Sequence, residues 1–505
     1  PMDGGRYITL PLVITRDPES REHNMGMYRG QVHSEKEIGL HWQIHKHGAD
    51  HASLHPEGRM PVAICIGGPP ELIFSAIAPL PDNLEEYMFA GFLGRKRLKL
   101  ARARTQDLLI PAEADVVIEG WTDPNEVKLE GPFGDHYGFY SLPGNYPVLH
   151  VTAITRRRNA VIPATIVGLP PMEDGFLGEA IGAQFTPVLR FQHRDVRSVF
   201  LPLETGFHNL AVVSSKQRYP RQARKTALGL LGAGQMMLLK TMMMIDEDED
   251  PHDLNVFLDA LNNRVDPSED IIEIHGLPGD SLDPANPYEN VQAKLIIDAT
   301  SLPEADPRHG GNLPLGTPEV DTPEWRKGLD APPGVPPGFE LHVLEIPGVK
   351  QARLLRSSML VITTQIEGGP SPRDGMVEPN EKLAAKQRAT INEITEAVWQ
   401  LEGSENLRWL FITDDDLELH SKGSNRRLLW QLFARFDVDR GLKWDTDRSR
   451  IAWDATAPIP ARNGELPARR WPAVTLHDHE ILQRIQEYAV EDGLAGREWP
   501  SNLLL

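Results

Sequence analysis

The run Glu130-Gly-Pro-Phe-Gly-Asp135-His136-Tyr-Gly138 places two carboxylates and an imidazole among three glycines and a proline. Side chains of these types can take part in acid–base chemistry. Glycine permits backbone angles and close approaches that a side chain blocks, so the run reads as a tight loop. Glu130 and Asp135, five positions apart across a turn, can then face one cavity without sharing a helix. A solvated turn has the same composition.

Other polar residues stand upstream: Asn24 and Arg29 in Glu22-His-Asn-Met-Gly-Met-Tyr-Arg29, the series His41-Trp-Gln-Ile-His45-Lys-His47, and Glu86. One imidazole, one carboxylate and one amide oxygen suit a divalent cation such as Mn²⁺ or Mg²⁺. Arg29 can hold a carboxylate in a two-pronged contact. His41, His45 and His47 occupy odd positions, and an ordinary polar strand face accounts for that spacing equally well.

The elements that must position these residues change in character along the chain. Up to about residue 200, short β-rich runs alternate with turn clusters, as in Pro61–Ile66, Ala114–Gly120 and Pro147–Ile154, and predict a β-barrel or sandwich core. Leu84 to Ala101 has helical spacing. From about 205 the pattern becomes α/β: a strand at Leu210–Val213, a helix from Arg221 to Lys240, a strand at Met242–Ile245, the acidic loop Asp246–Asp250 and a helix from Asp253 to Arg264. The acidic loop suits either a cation or solvent.

That block recurs near the end of the chain. Asn209–Gln217 is echoed by Ser358–Gln365, Met244–Asp248 by Ile412–Asp416, Leu258–Arg264 by Leu429–Arg435, and Ile297–Thr300 by Trp453–Thr456. Four echoes in one order predict two copies of an α/β domain. Between them Pro303 to Pro337 reads as a linker, Gly368 to Pro379 as a flexible stretch inside the second copy, and His477 to Asp492 as an amphipathic closing helix. The domains expected are 1–204, 205–320 and 321–505.

Composition narrows the function. The 505 residues carry 52 basic and 72 acidic side chains, a net charge of −20, which argues against a nucleic-acid partner. Cys65 is the sole cysteine, so an internal disulfide and a cysteine-built zinc site are excluded, and a reducing, cytoplasmic setting is expected. The longest apolar stretch, Leu228 to Ile245, carries Gln235 and Lys240 and does not suit a membrane span. The chain opens at Pro1 and runs straight into a strand-like segment, which suggests that an N-terminal part is missing.

Five ordered segments resemble the successive signatures of the UbiD family of decarboxylases: Ile14–Glu19, Asn24–Arg29, Glu86–Gly91, Ile110–Gly120 and Glu130–Asp135. The resemblance implies a split β-barrel flavin-binding core followed by the duplicated α/β domain. It also implies prenylated FMN held through its phosphate by a divalent metal, Mn²⁺ or Mg²⁺, with K⁺ as a nearby monovalent ion. Carried over by position, the metal ligands are Asn24, His45 and Glu86, with His47 competing for the place of His45. Met25, Met27, Arg29, Ser75 and Ala76 fall at the flavin, and Lys240 where the family places a lysine on the flavin phosphate. The catalytic trio maps onto Arg29, Glu130 and Asp135, the aspartate siding with relatives that act on hydroxylated aromatic acids.

The opening segment, the His41–Gly48 run and the doubled C-terminal domain further resemble the menaquinone-route decarboxylases, whose expected substrate is 1,4-dihydroxy-6-naphthoate. A hydroxybenzoate-type decarboxylase and a flavin-binding partner without turnover are the rivals. A homo-oligomer and a prenyl-flavin synthase as cofactor source are implied too. The α/β region that normally precedes the Asn24 motif in this family is absent from the sequence, and the second copy, with Arg408 in place of Lys240, is expected to be structural.

Overall fold

The computed structural model describes residues 2–44, 46–55, 58–81, 84–309, 320, 322–369, 376–462, 468–476 and 479–491. It divides into a first unit of residues 1–135 and 140–167, and a second of residues 136–139 and 168–505. The predicted boundary at 204 therefore lies some way inside the second unit, and both α/β copies fall in that one unit. Parts of the Pro303–Pro337 and Gly368–Pro379 stretches lie outside the described residues.

In the first unit, eight strands make one curled antiparallel sheet. They are β1 (Arg6–Ile8), β2 (Leu12–Arg16), β3 (His23–Met27), β4 (Gly30–Ser34), β5 (Glu37–Leu40), β6 (Met60–Ile66) and, after a small separate hairpin of β7 (Leu100–Arg102) and β8 (Leu109–Pro111), the long β9 (Val116–Glu130) and β10 (Gly144–Arg156). Their order is β1-β4-β5-β10-β9-β6-β2-β3. Leu12, Val13 and Ile14 are all fully buried, which a strand allows only when both faces are covered, because successive side chains point to opposite sides.

The covers are three short helices, α1 (His47–Ser53), α2 (Pro70–Ser75) and α3 (Glu86–Leu93). Leu12, Ile14, Met25, Cys65 and Val117 pack on one side with Leu72 of α2 and Tyr87 and Ala90 of α3, while Val13, Val62, Ile64, Ile118 and Leu149 pack on the other with Trp42 and Ala52. Burial pushes the Cys65 thiol up and keeps it neutral. His41 and His47 do not share a strand: β5 ends at Leu40 and α1 begins at His47. The predicted helix from Leu84 to Ala101 shortens to α3, which closes at Gly94.

The first copy in the second unit begins with α4 (Glu173–Gln192) and β11 (Val196–Phe200) and continues through β12 (Leu210–Ser215), α5 (Gln222–Leu231), β13 (Thr241–Asp246), α6 (Leu254–Arg264), α7 (Pro267–Asp270), β14 (Ile271–Pro278) and β15 (Val291–Asp298). The second runs from α8 (Phe339–Val343) through β16 (Val349–Arg356), β17 (Met359–Thr364), α9 (Glu381–Gln400), β18 (Trp409–Asp414), α10 (Ser424–Ala434), α11 (Val438–Gly441), β19 (Leu442–Trp444) and β20 (Ile451–Ala455), with α12 (His479–Glu491) last. The sheet orders match element for element, β11-β12-β13-β15-β14 and β16-β17-β18-β20-β19, each with three parallel inner strands between antiparallel edges. All four sequence echoes fall on equivalent elements.

The copies share one core. Val212, Met243 and Ile297 with Phe257 and Leu261 of α6 join Val361, Phe411 and Trp453 with Leu432 and Phe433 of α10 in a single apolar cluster. The opposite faces are covered separately, by α5 in the first copy and α9 in the second. The acidic loops are held by arginines: Arg264 bonds Glu249 across 2.5 Å, and its counterpart Arg435 bonds Asp416 across 3.1 Å. The predicted helix from Arg221 to Lys240 ends at Leu231, where Gly232 and then Gly234, at φ 50°, break it. No helix among the described residues is long and apolar enough to cross a membrane.

Candidate active site

Glu130 closes β9 and pairs in register with Gly144 at the start of β10, so the loop between them is an excursion from one antiparallel ladder. Gly131, at φ 94°, starts the turn in the left-handed region that favours glycine. The loop is pinned by Ser141 N donating to Phe133 O at 2.8 Å, by Gly4 N donating to Pro132 O at 2.7 Å and by Gly131 N donating to the Gln31 side chain at 3.0 Å. The solvated-turn reading is thereby set aside: Glu130 is 0% and Asp135 5% exposed.

Arg29, on the link between β3 and β4, grips Glu130 with two parallel bonds, Nε to Oε1 at 2.9 Å and Nη2 to Oε2 at 3.0 Å. Nη2 also donates to Ser141 Oγ at 2.9 Å. Two parallel N–H···O bonds fix the guanidinium plane as well as its position. Among the described residues nothing engages Nη1, which leaves one edge of the guanidinium for a ligand. His41 brings Nδ1 to 3.1 Å from Glu130 Oε2 and stacks on Tyr146 at 4.1 Å between centroids. Burial pushes the Glu130 carboxyl up, but the hydrogen bond from His41 and the charge of Arg29 more than offset it and hold the pKa down at about 2. Glu130 is an ionised orienting group at neutral pH.

His41, Ser141, Tyr146 and Gln31 complete this arrangement. Of these only His41 stood out in the sequence, and there as a weak metal candidate. Ser141 and Tyr146 follow the loop closely, a proximity that could have raised them.

The metal and flavin positions form a second patch of the same unit. Asn24, 4% exposed on β3, lies opposite Thr15 and bonds its hydroxyl at 3.3 Å. Its neighbour Met25 donates its backbone N–H to Glu86 Oε2 at 2.9 Å, which brings the first residue of α3 beside β3. Met27 N donates to Ala76 O at 3.2 Å, and Ser75 is fully buried with its hydroxyl on Glu71 O at 2.6 Å. Burial raises the Glu86 carboxyl above its usual range, against the pull of the Met25 N–H and of His47. A desolvated carboxylate bonded to the backbone next to Asn24, with an imidazole close enough to stabilise its charge, fits a divalent cation by donor chemistry. His45 lies outside the described residues.

Lys240, expected at the flavin phosphate, is engaged by protein groups in this structure. It belongs to the second unit, is 1% exposed, and gives its ammonium to Asp283 Oδ2 at 2.6 Å, Phe436 O at 2.7 Å and Phe433 O at 3.2 Å. Two hydrogen bonds to backbone carbonyls and one ion pair thus engage the ammonium within the second unit.

Residues 1–170 match the domain family described as the 3-octaprenyl-4-hydroxybenzoate carboxy-lyase Rift-related domain, and residues 175–299 match the C-terminal domain of that enzyme. An uncharacterized protein of Archaeoglobus fulgidus is 47% identical over 303 residues, covering 59% of this chain and 63% of that one. One of Aquifex aeolicus is 45% identical over 304 residues, covering 60% and 62%. The chain thus spans under two thirds of the length of these relatives. Among solved structures, the vanillic acid decarboxylase of Sedimentibacter hydroxybenzoicus in its closed form is 30% identical, with a TM-score of 0.58 over 65% of this chain and 71% of that one. The UbiD-class enzyme HmfF of Pelotomaculum thermopropionicum, in complex with FMN, is 25% identical with a TM-score of 0.54 over 64% and 71%. With both of the family's domains matched in order over more than half of its length, the chain belongs to the UbiD family.

Proposed function

We propose that this chain catalyses the non-oxidative decarboxylation of a hydroxylated aromatic carboxylic acid with prenylated FMN, and that the acid is 1,4-dihydroxy-6-naphthoate of menaquinone biosynthesis. The observation that carries the reading is the buried, bidentate Arg29–Glu130 pair with His41 on the same carboxylate, inside the matched domain. When bound, prenylated FMN supplies the electron sink that an aryl carbanion needs and that no side chain provides. Asn24, Glu86 and His45, or His47 in its place, would hold Mn²⁺ or Mg²⁺ at its phosphate, with K⁺ nearby. Met25, Met27, Ser75 and Ala76 would line it.

The chain's own residues divide the remaining work. Arg29 binds the substrate carboxylate at Nη1 while Glu130 and Ser141 keep the guanidinium from turning. Glu130, ionised, is not the proton source. Asp135, 5% exposed, returns the proton to the ring carbon that CO₂ leaves. The enzyme is read as a cytoplasmic homo-oligomer that receives its cofactor from a prenyl-flavin synthase.

The test is protein made together with that synthase and assayed without oxygen. CO₂ released from dihydroxynaphthoate supports the reading; no release from it or from any hydroxybenzoate refutes the catalytic assignment. The similarity to a vanillic acid decarboxylase favours a second reading, a hydroxybenzoate-type substrate. A panel of both acid classes separates the two. No CO₂ from the parent protein together with an unchanged phenotype in Arg29→Ala and Asp135→Asn variants would instead favour a flavin-binding protein without turnover.

A further inference from the structure

His136, His208 and Asp280 come from three distant segments and all belong to the second unit. Their ligand atoms lie within 4.8 Å of one another. His208 Nδ1 is 2.9 Å and His136 Nε2 3.5 Å from the same oxygen, Asp280 Oδ2. Ligand atoms about 2.0 to 2.2 Å from a common ion stand roughly 2.8 to 3.6 Å apart, between octahedral and tetrahedral geometry, so both separations have the size of a coordination edge.

The group is held in place. Asp280 is 1% exposed; its Oδ1 accepts Leu282 N at 3.0 Å and its backbone carbonyl accepts Asn286 Nδ2 at 2.9 Å, which turns Oδ2 toward the two rings. Tyr137 donates its hydroxyl to Oδ2 at 3.2 Å, the kind of outer hydrogen bond that orients a ligating carboxylate. The His136 ring lies on Phe207, 4.9 Å between centroids and 13° from parallel. The two imidazole side chains stay 14% and 15% exposed, which leaves a way in.

We propose that His136, His208 and Asp280 bind a divalent transition-metal ion, with Zn²⁺ as the reference ligand and an open position for water. Two imidazoles and one carboxylate select an ion of borderline softness over Mg²⁺ or Ca²⁺. None of these residues is shared with the cation position at Asn24 and Glu86, which belong to the first unit.

The test uses the full chain carrying Glu86→Gln, so that the first-unit position is silenced, freed of metal with a chelator and titrated with Zn²⁺ and Co²⁺ against a chromophoric competitor. One zinc retained through gel filtration, and a visible ligand-field band with Co²⁺, are expected. Both should be lost, with affinity down more than tenfold, on adding His208→Ala or Asp280→Asn, while Tyr137→Phe keeps the stoichiometry. X-ray absorption of the zinc-loaded Glu86→Gln protein should show imidazole scattering and needs no further variant to fold. No retained zinc, no imidazole signal, or undiminished uptake by folded His208→Ala protein would overturn the site in favour of a hydrogen-bonded cluster.

Discussion

Lys240 and Arg408 stand at equivalent positions before β13 and β18, and each gives its cation to the closing turn of the opposite copy's helix. Lys240 donates to Phe433 O and Phe436 O at the end of α10; Arg408 donates to Asn262 O in α6. Asn262 and Phe433 are themselves counterparts in the repeat, so the contacts are reciprocal. A helix C-terminus carries unsatisfied carbonyls and partial negative charge, which suits a buried cation. The copies differ in how that charge is balanced: Lys240 pairs with Asp283, whereas Arg408 lies over the Trp325 ring at 4.3 Å.

Replacing Lys240 by methionine should cost about 3 to 5 kcal/mol, because it strands the Asp283 carboxylate, itself 1% exposed. Urea denaturation would measure it. Adding Asp283→Asn should recover part of the loss. Stability like that of the parent protein in Lys240→Met would refute the reciprocal clasp.

Glu130→Gln keeps the size of the side chain but removes the charge that fixes Arg29. Decarboxylation by cofactor-loaded enzyme is expected to fall at least about 100-fold in kcat/KM. His41→Asn, which spares the two-pronged contact, should lose roughly tenfold. Equal losses in the two variants would mean that His41 does more than hold Glu130.

A carboxylate whose folded pKa is depressed stabilises the native state above its unfolded value, and that contribution is lost as pH falls through the folded one. For Glu130 the window runs from its ordinary value of 4.5 down to about 2. Unfolding free energy should therefore fall with acid across that window, and more shallowly in Glu130→Gln than in the parent protein. Parallel urea melts across these pH values check it, and identical slopes would contradict the assignment.

In a His208→Ala background, which removes the second proposed metal site, manganese uptake followed by electron paramagnetic resonance should be abolished by Glu86→Gln and weakened more than about tenfold by Asn24→Ala. Of the two histidines, His45→Ala should lose the ion and His47→Ala retain it. The opposite order would move the ligand to His47.

The loop around Glu130 was legible because glycine, proline and two acids mark a turn with chemistry, and the role of Arg29 only through the family resemblance. His41 was placed with the metal-type histidines, since nothing local reveals that the chain leaves its strand at Leu40 and aims the ring at Glu130. The contacts of Lys240 were not legible for a related reason: a lysine at the entry to a buried strand looks the same whether it meets a phosphate or a helix end across a repeat. The duplication was readable because identical packing demands preserve similar words, from β12 and β17 through β15 and β20. Of the two long helices left unassigned, α4 hides behind Gly175, Gly178, Gly182 and Pro187. By contrast, α9 carries a buried series of Ala384, Ile391, Ile394 and Val398 behind an Asn380 cap that could have been counted.

The core shared by the two copies sets an order of events during synthesis. One face of the first copy's sheet, with Val212, Met243 and Ile297, is completed only by residues such as Val361, Phe411 and Trp453. The ribosome delivers the first half well before its cover, so the nascent chain carries an apolar face with no lid for seconds at ordinary elongation speeds. A chain cut between the copies would keep that exposure for good, which makes the second copy a dedicated, covalently supplied chaperone for the first.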